Sequence, residues 1–87
     1  METAHEYAHI VEYCYNAKEK QFVVRFLDTT SYIIKIADLP KKLQTKKPKW
    51  EEAKLTKDRS SLAIPVGDND FRLIPSSIIH SRGVSIF

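Results

Sequence analysis

The sequence predicts an α+β domain. It should hold an antiparallel meander of three strands and a C-terminal hairpin, about six short strands in all, with one or two short helices. Three observations carry this. Apolar residues alternate with period two at residues 20–27 and 61–66, the spacing of a strand that buries one face. Turn-forming residues cluster at 16–19, 28–30 and 67–70, so the runs between them are short. Twenty-four of the 87 residues are Leu, Ile, Val or Phe, enough for one core and too few for two domains.

Residues 6–15 form the first expected strand, with Ala8, Ile10 and Cys14 on one face and His9, Val11, Tyr13 and Tyr15 on the other. Asn16 is the residue in the following loop best able to turn left-handed. The second strand, 20–27, points Phe22, Val24 and Phe26 inward. Asp28-Thr29-Thr30 turns the chain into a third strand at 31–36, with Tyr32, Ile34 and Ile36 sharing a face. Asp38 can cap a short helix that buries Leu39 and Leu43 on one side. Residues 50–56 read two ways: Glu51 to Leu55 favour helix by propensity, but the few residues between Pro48 and the turn at Lys57-Asp58 favour a strand. Residues 61–66 point Leu62, Ile64 and Val66 inward, and Pro65 marks an edge or a strand end. Gly67 to Asp70 turn into the return strand 71–74. Pro75-Ser76-Ser77 opens a short helix with Ile78 and Ile79 inward and Gly83 as its stop. The expected core is Phe22, Val24, Phe26, Ile34, Ile36, Leu62, Ile64 and Leu73. Residues 1–87 form a single domain, with an apolar tail at 84–87 able to stand apart from it.

The segments Phe22-Val23-Val24-Arg25-Phe26-Leu27-Asp28, Ala37-Asp38-Leu39-Pro40 and Leu73-Ile74-Pro75 resemble those of a family of small bacterial domains of unknown function. Such domains occur alone, ahead of helix-turn-helix domains or beside toxin-like proteins. The resemblance spans roughly residues 8–80 and implies an α+β fold without known catalytic residues. Members typically carry Asp-Gly after the second strand, where this chain has Asp28-Thr29. An aromatic residue often precedes the proline of the last hairpin, where this chain has Ile64-Pro65.

Charge is unevenly placed. Residues 41–59 carry eight bases and three acids, whereas the whole chain is only +3. Within that stretch Lys41, Lys42, Lys46, Lys47 and Lys49 run without an acid and are followed by Trp50. The lysines could neutralise phosphates while Trp50 stacks on a base. The plainer reading is a solvated loop that discourages edge-to-edge sheet association, with Trp50 plugging one end of the sheet. Ten of the 14 bases are lysine, a point charge without the planar fork that reads bases and phosphates.

Other chemistry is thin. His5 and His9 share a strand face about 13 Å apart, too far for one ion, and Cys14 falls on the opposite face as a small packed hydrophobe. Ser76, Ser77 and His80 lack the sharp glycine-flanked elbow of a serine nucleophile, and the serines read as helix caps. Asp68, Asn69 and Asp70 are too few oxygens for calcium. Glu51 and Glu52 diverge on either element, which suits acid–base work poorly. No metal, cofactor or catalytic residue is expected.

A single cysteine and an N-terminus with Glu2 and Glu6 but no base fit a cytoplasmic protein of bacterial style without a signal peptide or membrane span. The expected function is a non-enzymatic interaction or regulatory module that binds a protein partner. Val84, Ile86 and Phe87 are candidate contacts, adding a strand to the partner's sheet. The alternative is a nucleic-acid-binding protein that uses the lysine segment.

Overall fold

The computed structural model describes residues 8–44, 47–67 and 69–86. Among them run β1 (Ile10–Asn16), β2 (Gln21–Phe26), β3 (Ser31–Lys35), β4 (Lys54–Leu55), β5 (Ser61–Val66), β6 (Asp70–Pro75), α1 (Ser76–Arg82) and β7 (Val84–Ser85). Short 3-10 turns occupy Ile36–Asp38, Lys41–Gln44 and Trp50–Glu52. The strands form two antiparallel sheets, ordered β1-β2-β3-β7 and β4-β5-β6. The meander and the C-terminal hairpin are both present, β4 falls within residues 50–56, and β7 raises the strand number among the described residues from the expected six to seven.

Both sheets feed one core. Phe22, Val24 and Phe26 of β2 meet Ile10, Ile34, Leu62, Ile64, Ile74 and Ile79, with Leu39, Leu43 and Ala53 closing the cluster. Bonds between distant segments lock the arrangement. The Ile10 amide donates to the Arg59 carbonyl at 2.8 Å, and the Tyr13 hydroxyl donates to the Ala53 carbonyl at 2.8 Å. Helix α1 packs on β3 and β6. It ends at Gly83 in an extended rather than a left-handed conformation, and the position requires glycine for want of space. A Cβ there would lie 2.5 Å from the Ile79 carbonyl oxygen and 3.1 Å from that of Ile33.

Several expectations are corrected. In β1 the register slips between Ile10, opposite Phe26, and Glu12, opposite Arg25. This bulge inserts one residue and exchanges the faces. Ile10 is therefore buried, while beyond the bulge Tyr13 and Tyr15 pack on the same core. Cys14 is exposed rather than packed as a small hydrophobe. In the first loop it is Lys20, at φ 53°, that turns left-handed, not Asn16. Residues 50–56 are neither wholly strand nor helix, being a 3-10 turn at Trp50–Glu52 followed by β4.

The expected core is right at six of its eight positions. Ile36 is only half-buried, and Leu73 is 50% exposed. Leu73 faces out because β6 pairs Leu62 with Ile74 and Ala63 with Leu73, so Ile74 takes the inward place. Pro65 lies in a central strand rather than an edge strand, but next to its end, since β5 stops at Val66. It is tolerated because β4 pairs only as far as Ala63. Beyond it, the Pro65 carbonyl accepts from the Lys49 amide at 2.9 Å.

Asp38 caps nothing, since the next 3-10 turn starts at Lys41. Leu39 and Leu43 are nevertheless both buried as expected. Helix α1 has Pro75 at its N-cap without a side-chain bond, so the serines do not cap it.

Candidate binding surface

The lysine segment runs past the turn end of the β5–β6 hairpin, where the Lys49 amide donates to the Pro65 carbonyl. Lys41 and Lys42 are exposed on their 3-10 turn, whose Leu43 is buried, and Lys47 and Lys49 are exposed beyond it. Lys46 lies outside the described residues. Trp50 is half-buried and meets Phe22 edge-on, with ring centroids 6.2 Å apart. Its indole packs on the margin of the core, and the half that stays accessible follows directly on exposed Lys49.

What sequence reasoning missed is the outward face of β6. Phe71 is 53% exposed beside Leu73. They stand opposite Pro65 and Ala63 of β5, and Ala63 in turn stands opposite Lys54. Phe71, Leu73, Lys42, Arg72 and the buried Leu43 line one shallow depression of about 450 Å³. The four-residue run 71–74 does not itself choose between Leu73 and Ile74; pairing Ile74 with Leu62 places it inward and forces Leu73 out.

The outer edge of β6 is largely closed to another strand. The Ser76 amide donates to the Ser60 carbonyl at 2.9 Å, and antiparallel bonds alternate along the ladder. Phe71, Leu73 and Pro75 therefore turn their backbone groups away from β5. The Asp70 carboxylate accepts the Phe71 amide at 2.9 Å, and Pro75 has no N–H to offer.

A second apolar row crosses the outer face of the larger sheet. Val23 stands opposite Ile33, and Ile33 opposite Val84. The apolar tail thus already adds a strand, but to its own domain, and the Ile86 amide donates to the Ser31 carbonyl at 3.0 Å. Val84 and Ile86 remain 65% and 40% exposed. Phe87 lies outside the described residues.

The remaining polar groups serve local structure. The Ser76 hydroxyl lies 2.8 Å from the Ala8 carbonyl oxygen and 2.6 Å from that of Ser60, which engages its proton away from any base. His80 stacks on Phe26 at 4.5 Å and meets Tyr32 edge-on at 4.6 Å. His9 is half-buried at the start of β1, and His5 and Asp68 lie outside the described residues. Hydrogen bonds from the Thr30 hydroxyl and amide hold the Asp28 carboxyl below the usual aspartate range. The amide and hydroxyl of Ser60, with the Thr56 hydroxyl, do the same for Asp58. Both carboxylates are turn fasteners. Burial, and secondarily the Glu51 carboxylate, pushes the Tyr15 phenol up. No helix among the described residues is long and apolar enough to cross a membrane. No family model, curated protein or solved structure matches the chain.

Proposed function

We propose that this chain is a non-enzymatic binding module for a protein partner, and that the Phe71–Leu73 face of β6 is its contact surface. The observation that carries the reading is the pair of large apolar side chains left about half exposed, side by side, on one strand. Contiguous exposed apolar surface commonly marks an interaction site. A binding reading is preferred to a catalytic one because Ser76 and His80 are occupied by structural contacts. It is preferred to nucleic-acid binding because Trp50 is packed on Phe22. The same proposal places the chain in the bacterial cytoplasm, among the small domains its segments resemble.

The test compares native-lysate capture by three tagged proteins: wild type, Phe71→Asp/Leu73→Asp, and Lys41→Gln/Lys42→Gln/Lys47→Gln/Lys49→Gln. Each is captured with and without nuclease treatment. A protein partner that survives nuclease and is lost with the β6 variant supports the reading. Nuclease-sensitive capture that is lost only with the lysine variant replaces it with nucleic-acid binding.

A further inference from the structure

We infer that the depression beside β6 receives an acidic peptide segment carrying apolar residues. This deepens the binding reading above and rests on it. Phe71 and Leu73 project from the same face of β6 about 7 Å apart, two residues along a strand, and Leu43 lies between strand and 3-10 turn as the floor. They can bury two apolar side chains of a partner.

The rim is cationic. Lys42 and Arg72 line the depression itself. Lys54 lies across Ala63 from Leu73 on the outward face. Asp70 is the acid at this edge among the described residues. It approaches Arg72 through one nitrogen at 3.5 Å, with the arginine side chain 31% exposed. A guanidinium has five donors, so such a contact leaves capacity for a partner carboxylate.

The partner is gripped by side chains rather than by strand addition. The Asp70 carboxylate occupies the Phe71 amide and Pro75 supplies no donor, so the edge offers too short a run of backbone for a new strand. Carboxylates on the incoming segment match the rim, and its apolar residues match Phe71 and Leu73. A nucleic acid would use the cations but would leave Leu73 without a matching apolar group.

The experiment is fluorescence anisotropy on the full chain with three labelled probes: a short peptide alternating Glu with Leu or Phe, the same peptide with Lys for Glu, and an oligothymidine strand. The Glu peptide should bind about tenfold or more tighter than the Lys peptide, and that margin should shrink as salt screens the rim. Phe71→Ser/Leu73→Ser should weaken it about tenfold, the loss expected at a central apolar contact, with an unchanged circular dichroism spectrum. Lys42→Gln/Arg72→Gln should bring the two peptides together in affinity. Equal binding of both peptides by wild type, or wild-type affinity in the folded serine variant, overturns the inference. So does oligothymidine binding that displaces the Glu peptide. If these fail while partner capture is still lost in Phe71→Asp/Leu73→Asp, the binding module stands and only the acidic chemistry falls. If capture survives in that variant, the module reading itself falls.

Discussion

Thr29 occupies a position that suits glycine, and replacing it should make the protein more stable. It follows Asp28 in the β2–β3 turn at φ 74°, a region that β-branched residues rarely enter. For an L-residue the left-handed conformation costs about 1–2 kcal/mol. Glycine removes that cost but frees the unfolded chain by about 0.4–1 kcal/mol. The exposed Thr29 side chain makes no hydrogen bond of its own among the described residues, whereas the turn is held by the Asp28 carboxylate accepting from Thr30. Thr29→Gly should therefore gain about 0.8 kcal/mol, the difference between the middle values of those two costs. At this chain length that raises the Tm by about 3–6 °C. Thermal melts followed by Trp50 fluorescence and by circular dichroism read the shift, and Thr29→Ala, which keeps the strained φ, should gain much less. An unchanged or lower Tm in Thr29→Gly would refute the reasoning.

The other predictions concern the core, the helix stop and acid. Phe26 is 1% exposed, so Phe26→Ala should cost about 3–5 kcal/mol. Leu73→Ala should cost less than about 1 kcal/mol, and urea titrations giving the two equal costs would reverse the assignment of the β6 faces. Gly83→Ala forces a methyl against two backbone carbonyls and should destabilise by about 1–3 kcal/mol; an unchanged melt would show that the α1–β3 approach can relax. The folded-state values of Asp28 and Asp58 are depressed. Their contribution is thus complete above about pH 4, the unfolded aspartate value, and is lost as pH falls through the depressed values. Asp28→Asn/Asp58→Asn should show a shallower fall in Tm below about pH 4 than wild type, and parallel acid limbs would exclude these turns as a source of acid sensitivity.

Regular alternation made β2 and β5 legible: Phe22, Val24, Phe26, Leu62 and Ile64 are all buried. β1 was legible as a strand but not as a surface, because the bulge reverses the alternation after Ile10, and a period-two reading of residues 6–15 assumes an unbroken pleat. Leu73 and Ile74 are adjacent apolar residues in a four-residue run, so only pairing with β5 decides which faces in. The lysines were visible as charge. Their neighbour Phe71 was not, since what brings Lys42 beside β6 is the burial of Leu43, a contact between segments distant in sequence. The tail at 84–87 showed its apolar character, but its partner was ambiguous because two exposed apolar residues suit another protein's sheet as well as its own.

β7 gives the larger sheet a weakly fastened border. Its register covers two residues, and Ser85 and its partner Tyr32 are 53 positions apart in sequence. The β5–β6 ladder covers six pairs around a tight turn. Closing the longer loop costs about 2 kcal/mol more in chain entropy than closing a hairpin of a few residues, and exposed Val84 returns little burial to offset it. Amides along β7 should accordingly exchange with solvent through small local openings well before those of β2, which is clamped on both sides. Each such opening uncovers the margin of β3 at Tyr32 and Ile33, so the border strand is a reversible cover whose lifetime sets how often a competing strand can reach the sheet.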